Sequence, residues 1–471
     1  MVRQRQSIYI KKTMNLNKIK KIHFIGIGGI GVSALAKMMV QLGKDVSGSD
    51  VYQSTITDKL KSIGIAIKIG HNSRNLPAGS DLAVYSIAVP ANNPERQKAK
   101  ELNIPEMSYG EFLGELSQTK KTIAVTGTNG KTSTSAILGK VLVDCGVDPT
   151  VIIGSLLKQF DGNFYLGKSG YLAIEADEYK ANMLQVKPWS ILLTSIEEDH
   201  LDFYKDLNDI INHFQTFVDK LPDNGFLFYN GDDLNIQKLT LPKNSFACSL
   251  KNKAHYWVKK LKVEPGKYQY LVYNQDNELG EFELKIPGDY NVLNSLLVIG
   301  LCHQMKIDLA MVKKSLKDFG GLWRRFEIVG KLKDVDDVLL VSDYTHHPSA
   351  IKKTLKAAKE FYPDRRLFLV YQPHQHDRTK KLFDKFLTCF KQADFVILNE
   401  IYDVAGRKYE ADEKVSSKDL VDRIKSDKII YSPDFNQTKK LILKNVKPHD
   451  LLLIMGAGDI DEIARQIKQH E

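Results

Sequence analysis

No apolar run in the 471 residues approaches the about 18 that a membrane-spanning helix needs, so a spanning segment is excluded. Cysteine is scarce. Cys145, Cys248, Cys302 and Cys389 stand far apart with no C-x-x-C pair, which offers no disulfide framework and predicts four buried thiols in a reducing compartment. Glycine (31) and proline (15) are in no excess, which excludes a collagen-like or disordered chain. Acid is missing from residues 1 to 21, where Arg3, Arg5, Lys11, Lys12, Lys18, Lys20 and Lys21 supply seven of the ten net positive charges. The other 450 residues hold only +3, so the basic balance belongs to a tail and gives no footprint of a specific nucleic-acid partner. That tail has only Ile8-Tyr9-Ile10 where a signal peptide needs a longer apolar core, so a cytoplasmic protein without a membrane partner is expected.

What is present fits a large globular chain: 43% apolar residues over about three times the ~150 residues of a common domain. Lys21-Ile22-His23-Phe24-Ile25 runs into Gly26-Ile27-Gly28-Gly29-Ile30-Gly31, then a helically spaced stretch from Val32 to Leu42, then the strand Asp45 to Asp50. Gly26, Gly28 and Gly31 form G-x-G-x-x-G, a turn that lets a phosphate ester approach the backbone at a helix N-terminus, and Asp50 ends the next strand where an acid can meet a ribose hydroxyl. Strands are also predicted at Ile65 to Ile69 and Leu82 to Ile87, the second leading through Ser86 into a loop with Pro90, Asn92, Asn93 and Pro94. The polar stretch Glu115 to Lys121 is taken as the separator from the next unit.

A second strand, Thr122 to Val125, leads into Thr126-Gly127-Thr128-Asn129-Gly130-Lys131-Thr132-Ser133. This is a shortened Walker loop, with Val125 where the usual first glycine stands. Its amides can cradle the phosphates of a nucleoside triphosphate, Lys131 can reach the terminal ones, and the Thr132 hydroxyl can ligate magnesium. Acids cluster after two later strands, in Glu175-Ala176-Asp177-Glu178 and Glu197-Glu198-Asp199-His200-Leu201-Asp202, beside the phosphates of such a nucleotide. Glu175 and His200 are the functional candidates; most of the other acids are expected to be solvated. Residues 226 to 290 alternate strands and turns, a helix is predicted from Asn291 to about Met305, and Arg324-Arg325 stand near a hinge.

A further βαβ series follows: a strand from Val338 to Tyr344, a helix from about Pro348 to Phe361, a strand Leu367 to Tyr371, a helix from about Thr379 and a strand Phe395 to Leu398. It ends in Leu451 to Asp459, whose Gly456-Ala457-Gly458 reads as a structural turn. His346, His347, His374 and His376 fall on two strand-end loops, where hydrogen bonding to substrate suits them better than zinc. The fold expected is α/β in three domains: a Rossmann-like unit at 21–118, a P-loop ATPase-like unit at 119–330 and a second Rossmann-like unit at 331–471, after a basic extension at 1–20. A phosphate-ester turn and a triphosphate loop in successive units point to two phosphorylated molecules meeting at a cleft. ATP-driven activation of a carboxylate on the first ligand, followed by capture of the activated carbonyl by a nucleophile held in the third unit, is the economical reaction.

The motif order H-F-I-G-I-G-G-I-G, T-G-T-N-G-K-T-S, E-A-D-E, E-E-D-H-L-D, W-R-R-F-E, D-Y-T-H-H-P and Y-Q-P-H-Q-H-D-R-T resembles the Mur ligases of peptidoglycan precursor synthesis, over residues 21 to about 460. The resemblance implies an ATP- and Mg²⁺-dependent enzyme joining an amino acid, L-alanine, to UDP-N-acetylmuramate through an acyl phosphate. It implies that Gly26, Gly28, Gly29, Gly31, Asp50 and Ser86 face the UDP-sugar. Gly127, Thr128, Asn129, Gly130, Lys131, Thr132, Ser133, Asn291, Arg325 and Asp343 would contact ATP, and His347 and Arg378 the amino acid. Lys131, Glu175 and His200 would be catalytic, with Thr132, Glu175 and His200 around the metal. Gln375, where the family usually has arginine, removes a carboxylate fork, and Ser349, Ala350, Tyr290 and Ser195 also depart from the usual residues. Alternatives are a ligase that adds a ready-made tripeptide, a non-catalytic UDP-sugar sensor and a nicotinamide-dependent oxidoreductase, the last at odds with Gly130-Lys131-Thr132.

Overall fold

The structure, a computed structural model, describes residues 16–201, 203–333, 335–403 and 415–468. Most of the basic extension, including residues 1–13, and Asp202 lie outside the described residues. The first sheet has five parallel strands in the order Ala66–Ile69, Asp45–Asp50, Lys21–Ile25, Leu82–Tyr85, Glu106–Ser108. This is the order of a dinucleotide fold, in which the chain reverses direction beside the first strand and leaves a crevice at the strand ends. The glycine turn and the helix Ile30–Gln41 stand at that crevice.

The second sheet has ten strands. Its parallel middle places Ser190–Leu193, Lys121–Thr126, Tyr171–Glu175 and Thr150–Leu157 side by side, so the phosphate loop and both acidic segments emerge at one edge. The helix Lys131–Asp144 starts from Gly130 in a left-handed conformation (φ 90°), which only glycine adopts without strain. Antiparallel strands Lys267–Asn274 and Asn277–Leu284 extend one side, matching the alternation predicted for 226 to 290. The helix predicted from Asn291 spans Asp289–Gln304.

The third sheet has six strands, five of them parallel, and carries Glu327–Lys331 antiparallel at one edge. An edge at residue 330 therefore passes through a strand: Glu327 already pairs with Ser342, and the third unit begins at the Arg324–Phe326 turn. Helix Pro348–Phe361 and strand Leu367–Tyr371 lie where the periodicity put them, whereas the helix expected from about Thr379 is two short pieces, His376–Lys381 and Phe383–Phe386.

The separator read into Glu115–Lys121 is mostly helix. Tyr109–Gln118 is helical, opened by a capping box between Ser108 and Glu111, with Phe112, Leu113 and Leu116 buried. Its polar last turn looks like a linker in sequence because the helix buries only one face.

Candidate active site

The phosphate loop is held by the next strand end. The Thr128 amide donates to the Ser195 carbonyl (2.8 Å) and the Asn129 amide to the Ser195 hydroxyl (3.0 Å), while the Thr194 hydroxyl donates to the Asn129 carbonyl (2.6 Å). A side chain on Gly127 would meet the Thr194 hydroxyl at 2.2 Å, so that position admits only glycine. Two amides that the sequence assigned to phosphate thus serve the scaffold, and the phosphate-facing donors are those of the first helical turn, which have no carbonyl partner inside the helix. Ser195 keeps the loop in place with its hydroxyl where the family usually has asparagine.

Lys131 folds back over its own loop, its Nζ 2.7 Å from the Gly127 carbonyl and 2.6 Å from Glu178 Oε2. Burial lowers its pKa, but the charges of Glu178, Asp177 and Glu175 outweigh that and raise it, so it stays a cation. Glu178, not singled out from the acids of which most are expected to be solvated, is not among the solvated ones: its side chain is 4% exposed and lies between Lys131 and His200. Burial pushes its carboxyl up, yet those two partners hold it below the usual range. Sequence offered no signal for it beyond membership of Glu-Ala-Asp-Glu; only the turn into the segment Tyr179–Gln185 aims it inward.

Glu175 accepts from the Thr132 hydroxyl at 3.0 Å and from the Gly154 amide at 3.1 Å. Gly154 has no side chain because the carboxylate occupies that space, 2.4 Å from where a Cβ would stand. A hydroxyl and a carboxylate side by side form a hard donor pair that suits magnesium. His200, the third expected ligand, lines the same cavity as Thr132 and Glu175 and places its Nε2 3.5 Å from Glu178 and 4.0 Å from Asp199. Burial lowers its pKa, but the hydrogen bond to Glu178 and the charge of Asp199 raise it further.

A cavity opens from this cluster to the third unit, lined by Lys131, Thr132, Glu175, Glu178, His200, Asn291, Arg325, Asp343, His346 and His347. Arg325 brings Nη2 within 3.5 Å of the Thr132 hydroxyl. Asp343 stands in the cavity wall and accepts one amide on each oxygen, from Phe326 and Thr345 (2.7 Å each), which fixes its carboxylate in place. Asn291 donates to the Pro287 carbonyl and accepts from Asn294, beside Gly130. His347 caps helix Pro348–Phe361, and Arg378 lies behind the wall, 4.0 Å from Asp199. Burial and the nearby Arg378 and His374 charges push His346 down to about 3, leaving it neutral. The four histidines do not converge: the His376 ring donates to the Val415 carbonyl, and His374 stacks on Tyr402. Arg324, read only as a cation near a hinge, is buried and donates to the carbonyls of Gly456 and Gly458.

The glycine turn lies apart from this cavity. Gly26 and Ile27 donate to the Ser49 carbonyl, Gly29 to Gly26, and Ser86 packs against Gly26. Asp50 stands at the turn itself, its Oδ2 2.8 Å from the Gly28 amide and drawn there by the unpaired donors of the turn. Residues 21–121 match the model of the Mur ligase family catalytic domain, 125–302 that of the Mur ligase middle domain, and 324–458 that of the Mur ligase glutamate ligase domain.

The chain belongs to the Mur ligase family.

This Mur ligase is 39% identical over 447 residues to the UDP-N-acetylmuramate–L-alanine ligase of Clostridium novyi strain NT, covering 94% of this chain and 95% of that one. Among solved structures it is similar to the UDP-N-acetylmuramate–alanine ligase of Thermotoga maritima, with a TM-score of 0.82, 28% identity, and coverage of 95% of this chain and 98% of that one. It shares its fold with a murein peptide ligase of Psychrobacter arcticus (TM-score 0.70, 24% identity, 95% and 98% covered). Among the described residues no helix of this Mur ligase is long and apolar enough to cross a membrane.

Proposed function

We propose that this Mur ligase joins L-alanine to the carboxylate of UDP-N-acetylmuramate in an ATP-driven, Mg²⁺-dependent step of peptidoglycan precursor synthesis in the cytoplasm. The observation that carries the reading is one cavity walled by a phosphate loop on one side and by the strand-end histidines of the third unit on the other. ATP lies along the loop with its γ-phosphate at Lys131. The muramoyl carboxylate attacks that phosphorus and displaces ADP, whose β-phosphate takes the bridging oxygen, and the Lys131 ammonium neutralises the charge that develops on the phosphoryl oxygens. Magnesium, held by Thr132 and Glu175, would supply further neutralisation between the phosphates. The resulting acyl phosphate is then attacked by the free amine of the amino acid at the His346–His347 wall, and orthophosphate leaves. Glu178 keeps Lys131 charged and buried before ATP arrives, and Arg325 is close enough to Thr132 to follow the transferring phosphoryl group.

A tripeptide nucleophile is the second reading, favoured by Gln375 in place of a carboxylate-binding arginine. Every family match is to a ligase domain, which leaves the oxidoreductase alternative without support. The deciding assay supplies UDP-N-acetylmuramate, ATP and magnesium, adds single amino acids or the tripeptide in turn, and follows orthophosphate and product mass. L-Alanine should release phosphate fastest, and only when the sugar nucleotide is present. Release with the tripeptide alone would replace this reading by the second, and release with no amine at all would overturn both.

A further inference from the structure

Tyr109 belongs to the first unit, yet it stands against both ligand-binding ends of the fused half of the molecule. It opens helix Tyr109–Gln118. Its ring tip covers Gly31, the last glycine of the turn: a Cβ on Gly31 would lie 2.6 Å from Tyr109 Cζ and 2.8 Å from its hydroxyl. The same helix is pressed on the segment that follows the catalytic carboxylates. A Cβ on Gly110 would meet Asn182 Oδ1 at 2.9 Å, one on Gly114 would meet the Gln185 carbonyl at 2.5 Å, and Ser117 accepts from the Lys187 amide at 2.9 Å. Tyr109 is therefore rigidly placed relative to the second unit as well as to its own.

On that side its electrostatic neighbours are Glu175 and Asp177. Burial, and then these two charges, raise the phenol's pKa, so the group is a neutral donor at any working pH. Tyr109 is only partly buried, and no hydrogen bond to its hydroxyl is found among the described residues, which leaves its proton for a ligand. A sugar nucleotide whose diphosphate rests at the glycine turn must extend its carboxylate toward Lys131, past a wall that carries Glu175, Asp177 and Glu178. Three acids repel an incoming carboxylate. A neutral hydroxyl on its path holds it with one charge-assisted hydrogen bond.

We propose that the Tyr109 hydroxyl is a further substrate-positioning group, donating to the carboxylate of the sugar nucleotide as it passes from the glycine turn to the phosphate loop. This rests on the reading of UDP-N-acetylmuramate as substrate. The test is Tyr109→Phe, which keeps the ring over Gly31 and removes only the donor. Calorimetric titration with UDP-N-acetylmuramate, without turnover, should show affinity about 10- to 100-fold weaker than wild type, the loss expected for a hydrogen bond to a charged group. KM for ATP and the melting temperature should be unchanged, which a merely structural role would not allow. UDP-N-acetylglucosamine, which lacks the carboxylate, should compete equally well with wild type and variant. Equal affinity of both proteins for UDP-N-acetylmuramate overturns the proposal, and so does the same fractional loss for both sugar nucleotides. A wild-type protein that binds neither sugar nucleotide would instead remove the functional reading itself.

Discussion

Helix Ile30–Gln41 of the first unit and strands Thr150–Leu157 and Gly162–Tyr165 of the second bury Ala34, Leu35, Met38, Ile152 and Phe164 in a single apolar cluster. The third unit meets the second differently: Glu197 with Lys353 (3.2 Å) and Ser349 (3.3 Å), Asp199 with Arg378 (4.0 Å), and one stacked pair, Tyr268 on Phe361. The first seam excludes water and fixes two sites relative to each other. The second sets a rim of ion pairs around one buried anchor, Phe361, which joins the second unit's apolar cluster, and it is the looser of the two because exposed ion pairs contribute little to stability. Trp323 is the tether between the two, its amide donating to the Leu156 carbonyl (3.1 Å) and its carbonyl accepting from Ser155 (2.8 Å). A ligase that must admit two large substrates and then shield an acyl phosphate needs one seam of each kind.

The contrast can be broken at its strongest point first. Gly114→Val forces a side chain into the Gln185 carbonyl and should cost about 3 kcal/mol, lowering one calorimetric transition shared by the first two units. Two separate transitions, only one of them shifted, would show that the apolar seam does not couple them. Next in size is acid. Burial alone would raise the Glu95 carboxyl, but hydrogen bonds from His23, Ser49 and His71 outweigh it and hold it at about 2. A depressed carboxyl contributes stability that is full above its ordinary pKa near 4.5 and is lost as pH falls toward 2. Glu95→Gln should therefore lose about 2 kcal/mol at neutral pH and flatten the acid limb between pH 4.5 and 2 in a denaturant series.

Ser155→Ala removes one hydrogen bond from the tether and should cost about 1 kcal/mol, with a larger spread of domain positions by small-angle scattering. The smallest effect belongs to the polar seam. Glu197→Gln should change stability by less than about 0.5 kcal/mol while raising KM for the amino acid a few fold, a difference that fades at high salt. A large stability loss there would mean that the third unit is as firmly joined as the first.

The two glycine turns, the shortened phosphate loop, and the strands and helices of the third unit were legible because each carries a local signal: a φ that only glycine takes, an apolar strand before it, a period after it. Glu178 was not, because Glu175, Asp177 and Glu178 look alike in a row and only a turn after a strand decides which faces inward. The place of Asp50 at a strand end is legible, but that its carboxylate meets the Gly28 amide is decided only where the two come close in space. The last turn of helix Tyr109–Gln118 looks like a linker in sequence because it carries Glu115 and Gln118, which the fold leaves partly and fully exposed.

By itself the sequence determined the order of three α/β units, the two glycine-rich turns that open helices and the family, since those depend on short-range periodicity and on residue types with restricted backbones. Only the tertiary structure decided which acid pairs with Lys131, which glycines exist to make room for a neighbour, and which seam is apolar. Those are properties of groups brought together from distant parts of the chain, and no local pattern encodes the distance between them.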